Sequence, residues 1–263
     1  MLCALLWQAG LPAQSSPPQT ANPVPSATVS ATGPRIVPPA AGYQFPNGQT
    51  YVYGVEWHMF NAGTATLRIE ADGPRQKVTG GGDSAGVVNA LFKVHDRVQS
   101  YFDPRTFCSQ QLQKHIEEGS HKRETSVRYD YEQRKSVLDE KNLKTNEQKH
   151  EENDIPGCVT DVVSGFYYFS SLPLQAGNVY DFPINDGGKT TEVQAQVDAR
   201  ERIKVPAGTF QTVRLHAEAL AGPLKGKGTV TIWLTDDPNH TPVQMRSKAG
   251  WGTLMFRLQR IEK

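Results

Sequence analysis

Residues 50–59 read TYVYGVEWHM. Tyr51, Tyr53, Val55, Trp57 and Met59 take every second position of that run, with Val52, Gly54, Glu56 and His58 between them. A strand points successive side chains to opposite faces, so the spacing predicts a β-strand with one large, mostly aromatic face. The same period returns as far as the C-terminus. Ala65, Leu67 and Ile69 alternate with Thr64, Thr66, Arg68 and Glu70, and Val213, Leu215 and Ala217 with Arg214, His216 and Glu218. Val230, Ile232 and Leu234 stand opposite Thr231 and Trp233. Turn chemistry separates the runs at Asn61-Ala62-Gly63, Glu118-Gly119-Ser120, Asn185-Asp186-Gly187-Gly188 and Ala249-Gly250-Trp251-Gly252. The Gly80-Gly81-Gly82-Asp83 cluster reads as a loop, and it lacks the Lys-Ser/Thr of a phosphate-binding loop. The count reaches about a dozen strands, including separate runs at Glu192–Ala199 and Arg202–Val205; a sheet of that size curls. The expected fold is mainly β, a single large antiparallel curved sheet or barrel-like domain.

One segment breaks the alternation. Val162, Val163, Phe166, Tyr167, Phe169 and Ser170 recur at helical spacing, Thr160 or Asp161 can cap the first turn, and Pro173 closes it. The cluster Phe166–Phe169 makes this helix aromatic on more than one side, which predicts a plug or lid packed across the sheet. The run Glu132–Asp154 is rich in Lys, Glu, Asp and Asn with both signs interspersed, the pattern of a solvated strand edge or mobile loop.

The 263 residues divide into three parts. Residues 1–13, MLCALLWQAGLPA, carry the apolar segment and small-residue end of a secretory signal without its basic leader. They read as a truncated signal peptide, or alternatively as a plain hydrophobic terminus, and are too short to span a bilayer. Residues 14–41 hold Pro17, Pro18, Pro23, Pro25, Pro34, Pro38 and Pro39 among Ser, Thr and Ala, a composition expected to form a disordered tether. Residues 42–263 form the expected single β domain. A formal net charge of +1 offers no electrostatic reason for a nucleic-acid partner. The expected location is the periplasm or cell envelope. Once a leader is removed, Cys108 and Cys158 remain, either as a disulfide or as two separately buried thiols.

The order of several segments resembles an exported bacterial family catalogued as domain of unknown function 3108. The matching stretches are FPNGQTYVYGVEW with its NAGTATL return, VQSYFDPRTF, DVVSGFYYFSSLPLQAG, VPAGTFQTVRL, TIWLTDDPNHTPVQM and the closing GTLMFRL. They span nearly all of Phe45 to Leu258. The resemblance implies one periplasmic or envelope β domain, and it implies neither a ligand nor catalytic residues.

No catalytic, metal or cofactor motif accompanies the β pattern. Asp236-Asp237-Pro238-Asn239-His240 could carry acid–base or metal chemistry, yet Asp-Pro-Asn is also what a turn between strands requires. The histidines lack ligand spacing; His115 and His121 flank a hairpin turn and offer at most a surface metal pair. Ser164 precedes Gly165 without the Gly-x-Ser-x-Gly of a nucleophile elbow. The aromatic set Tyr51, Tyr53, Trp57, Phe166, Tyr167, Phe169 and Trp233 is either core or the lining of a cavity for an apolar, lipid-like molecule. The leading expectation is therefore a non-enzymatic binder of an apolar or amphipathic ligand. Next stands an envelope assembly factor acting through a protein partner, and last an enzyme centred on Asp236, Asp237 and His240.

Overall fold

The computed structural model of the protein describes residues 35–58, 60–222, 225–250 and 252–263. The leader-like residues 1–13, the Pro-rich stretch up to residue 34, and Met59 and Trp251 lie outside the described residues. Strands β1 (Thr50–Trp57), β2 (Phe60–Asp72) and β3 (Arg75–Ser84) lead to helix α1 (Gly86–Leu91). A meander follows: β4 (Val94–Phe102), β5 (Ser109–Glu118), β6 (His121–Asp130), β7 (Lys135–Asn142) and β8 (Gln148–Asp154). Helix α2 (Ser164–Ser171) precedes β9 (Val179–Asn185), β10 (Thr190–Val205), β11 (Gly208–Ala221), β12 (Gly228–Thr235), β13 (Pro242–Ala249) and β14 (Gly252–Glu262). All of these strands join one antiparallel sheet of order β8-β7-β6-β5-β4-β3-β2-β1-β14-β13-β12-β11-β10-β9.

The sheet rolls until its two ends overlap. The turn after β9 tucks beneath β5–β7, where Tyr129 Oη donates to the Asn185 carbonyl at 2.8 Å and Ser136 Oγ to the Gly188 carbonyl at 2.9 Å. Lys114 Nζ lies 3.0 Å from Asp186 Oδ2 in the same overlap, with both side chains buried. Closure thus rests on side chains and loop carbonyls, without a backbone ladder between β8 and β9. The connection ahead of α2 covers the free edge of β9 through a parallel bridge between Thr160 and Ile184.

Inward-facing residues of the rolled sheet form one core around α2. Tyr51, Tyr53, Leu67, Ile69, Val78, Phe102 and Leu112 are among its most buried side chains. Phe102 stacks on Phe107 with ring centroids 4.9 Å apart, and Phe107 meets Tyr168 edge-on at 5.5 Å.

Several local expectations are corrected. The chain reverses between Trp57 and Phe60, which pair with each other, so Asn61-Ala62-Gly63 lies inside β2 rather than in a turn. A register shift opposite Val55 and Glu56 explains the glycine: Gly63 has φ +154°, and a Cβ there would fall 2.0 Å from the Asp83 carbonyl oxygen. Gly80-Gly81-Gly82 is not a loop but the centre of β3, paired on both sides. Ladder bonds to β2 and β4 override the weak strand propensity of glycine. Close approach supplies the reason for the composition, because a Cβ on Gly81 would fall 2.9 Å from Thr66 Oγ1.

Glu192–Ala199 and Arg202–Val205 are one strand, β10, bent where the register shifts between Val197 and Ala199. Of the two readings of Glu132–Asp154, the solvated strand edge holds and the mobile loop does not: β7 and β8 occupy most of it, with β8 as the charged outer edge. His115 and His121 do not face each other, since His115 pairs across the ladder with Glu124 and His121 with Glu118. Arg35–Ala41, assigned to the tether on composition, is docked: Arg35 N–H donates to the Asp181 carbonyl, Ala40 N–H to the Ser171 carbonyl, and Ile36 and Val37 pack on the core. Helix α1, unforeseen in the alternation, connects β3 to β4.

Candidate functional site

Helix α2 lies inside the rolled sheet because its approach is anchored. Asp161 Oδ1 accepts from the backbone N–H groups of Val163 and Ser164 at 2.9 and 3.0 Å, so of the two residues the sequence offers as cap, Thr160 and Asp161, it is Asp161 that serves. Its Oδ2 accepts from Ser100, Ser109 and Ser164 hydroxyls at 2.5, 2.6 and 3.0 Å. A buried carboxylate is tolerable only with such a full set of donors. The Cys108–Cys158 disulfide, with Cα atoms 5.0 Å apart, ties the same approach segment to the start of β5.

So held, the helix divides the interior unequally. Tyr167 stacks over Tyr51 with centroids 6.4 Å apart, and Tyr168 packs on Phe182 at 5.0 Å. The remaining stripe, Val162, Gly165, Phe166 and Phe169, faces a cavity of about 150 Å³. Ile184, Val193, Ala217, Ile232, Met245 and Phe256 from the β9–β14 half of the sheet form its opposite wall. The space exists because side-chain volume is missing: a Cβ built on Gly165 meets nothing within 4 Å, and Ala217 stands across from it on the wall. Glu218, Lys227, Gly228 and Lys248 ring the mouth. The wall is mostly apolar, with hydroxyls from Thr229 and Ser247, and the charges of Glu218, Lys227 and Lys248 lie at the exposed rim.

The seven aromatic residues singled out by alternation part company here. Phe166 and Phe169 line the cavity. Tyr51, Tyr53 and Tyr167 are packed core, and Tyr53 Oη donates to the Pro242 carbonyl at 2.7 Å. Burial pushes the Tyr51 phenol up to about 12 and raises Tyr53 and Tyr167 well above the ordinary tyrosine value, so all three stay neutral. Trp57 is 37% exposed at the end of β1. Trp233 lies on the outer face of β12, where its Nε1 donates to Glu201 at 2.8 Å and Arg246 covers its ring. Gly165, Ile184, Ala217 and Met245 were not anticipated as site residues. The one local signal for them is a glycine in the middle of an otherwise bulky helical stripe.

The remaining polar candidates are occupied structurally. Asp236 pairs with Arg200 at 2.8 Å, Asp237 accepts from the Asn239 N–H within the turn, and His240 Nδ1 lies 2.8 Å from the Ser170 carbonyl. The three side chains therefore diverge instead of converging on one point. Ser164 Oγ is held in the buried Asp161 cluster. Among the described residues, no group of three or more His, Cys, Asp or Glu side chains is placed to hold a metal ion.

The fold and cavity define a class: a barrel-like β domain with an internal helix beside an apolar pocket. The chain belongs to the family described as protein of unknown function (DUF3108), which matches residues 52–259. It is similar in fold to a β-barrel-like protein of domain of unknown function DUF1849 from Brucella abortus, at TM-score 0.56 and 9% identity, covering 87% of this chain and 98% of that one. Looser likenesses, at 11% identity each, are to a Bacteroides fragilis protein described as exported with a YmcC-like fold and a Parabacteroides distasonis protein described as a lipoprotein. Their TM-scores are 0.38 and 0.28, with 84% and 88% of this chain and 99% and 100% of theirs covered. No curated protein matches the chain.

Proposed function

We propose that this is an exported, non-enzymatic envelope protein that binds the apolar part of an amphipathic molecule beside α2. The observation that carries the reading is the cavity itself, mostly apolar in its lining and open at a charged rim. An apolar cavity of about 150 Å³ holds a benzene-sized group or a short run of methylenes. The open mouth lets the rest of such a molecule project past Lys227 and Lys248. The Cys108–Cys158 disulfide supports an oxidising compartment. The assembly-factor reading has less support, because the outer edge strand β8 carries Lys149, Glu151 and Glu152, charges that oppose strand addition by a partner.

The test is native mass spectrometry of protein purified without detergent, before and after organic extraction. A discrete added mass removed by extraction supports the reading. A bare protein that also fails to take up a fluorescent fatty-acid probe sinks it.

A further inference from the structure

The ends of this barrel differ in composition. Eight large hydrophobic side chains are exposed among the described residues. Six of them, Trp57, Phe60, Val87, Leu91, Phe92 and Leu220, lie at the end where β1, β3, β11 and β13 finish. Val179 and Ile261 account for the other two. Trp57 and Phe60 face each other as a cross-strand pair at one hairpin, and Val87 and Leu91 project from α1 with 74% and 81% exposure. Phe92 packs against the next turn, where a Cβ on Gly119 would come within 2.6 Å of its ring.

Charge follows the same axis. The connections at this end carry Lys93, Lys144, Lys225 and Lys227 against Glu147, the β9–β10 turn being tucked under β5–β7 instead. Those at the opposite end carry Arg105 and Arg134 against Asp103, Glu132, Asp236 and Asp237. The cavity mouth, with Lys227 and Lys248 on its rim, opens at the basic and apolar end.

We propose that this end docks on an anionic lipid bilayer, its aromatic and aliphatic side chains entering the interface and its lysines meeting the headgroups. Interfacial binding combines buried apolar area with attraction to anionic lipid, and this end supplies both while the other opposes them. The proposal does not rest on what occupies the cavity.

Flotation of the full chain with vesicles of phosphatidylglycerol and phosphatidylethanolamine tests it, with phosphatidylcholine vesicles as the neutral comparison. The expected result is flotation with the anionic vesicles only, declining as salt rises. Phe60→Ser with Leu91→Ser lowers the partition by about ten-fold or more, as does Lys225→Glu with Lys227→Glu. Because all four side chains are exposed, circular dichroism melting should show an unchanged fold. Val179→Ser with Ile261→Ser, at other sites, leaves flotation as in the wild type. Absence of flotation with anionic vesicles at low salt overturns the proposal and directs attention to a protein partner. Equal flotation with neutral vesicles, or an equal loss in the Val179/Ile261 variant, overturns it as well.

Discussion

Ser100 Oγ of β4 donates a 2.5 Å hydrogen bond to Asp161 Oδ2, three residues ahead of α2. Ser109 of β5 donates to the same oxygen at 2.6 Å, so one carboxylate ties the internal helix to two neighbouring strands. Removing it leaves buried hydroxyl and N–H donors without their acceptor. Asp161→Ala is expected to lower stability by about 3 kcal/mol or more, and Ser109→Ala by about 1 kcal/mol. Urea unfolding of the two variants measures both, and equal midpoints for Asp161→Ala and wild type would refute the anchor.

The cavity depends on what Gly165 lacks. Gly165→Leu places a side chain into space where a Cβ meets nothing within 4 Å, and leucine is also the better helix former. Its melting temperature should stay level or rise while uptake of an apolar fluorescent probe falls about ten-fold or more. Unchanged uptake in a folded Gly165→Leu protein would place the ligand elsewhere.

The Cys108–Cys158 bridge spans a sequence separation of 50. Cross-linking a loop of that length stabilises by about 4 kcal/mol through the unfolded chain. The Cys108→Ser, Cys158→Ser protein should lose stability of that order. Added reductant should then change the wild type but not the variant.

Alkali offers a separate test of the packed tyrosines. Burial raises Tyr51 and Tyr168 to about 12, each partly offset by a hydrogen bond. Above pH 10 the unfolded chain gives up these phenolic protons while the folded chain keeps them. Their contribution is therefore complete below pH 10 and is lost as pH climbs through 12. Tyrosinate absorbance should rise in step with loss of the β-sheet signal, whereas an early rise with the sheet intact would contradict the burial.

Gly63 and Gly80 predict different outcomes for one change. Gly63→Ala drives a Cβ into the Asp83 carbonyl at 2.0 Å, so a cost of about 2 kcal/mol or more is expected. Gly80→Ala meets its nearest neighbour at 3.8 Å and should be close to neutral. Thermal melts of the pair decide whether strain or propensity governs these strand glycines.

Only the helical part of the candidate site is legible locally. Phe166 and Phe169 came from the helical spacing, and the alternation of Val230, Ile232 and Leu234 already set Trp233 on the opposite face. Gly165, Ala217, Ile184 and Met245 come from α2, β11, β9 and β13, and what joins them is the roll of the sheet. Gly80-Gly81-Gly82 shows the same limit, since a glycine run looks like a loop until strands on both sides hold it in register.

Local pattern carries the strand periodicity, the faces of most strands, the position of the aromatic helix and a cap at Thr160 or Asp161. Each of these is a matter of side-chain direction over a few residues, and periods of 2 and 3.6 are written in the chain. Long-range packing settles that the sheet closes by tucking the β9–β10 turn under β5–β7, that Cys108 reaches Cys158, and that a mostly apolar space remains on one side of α2. These depend on sheet twist accumulated over many strands and on contacts between residues far apart in sequence, and no local pattern records such sums.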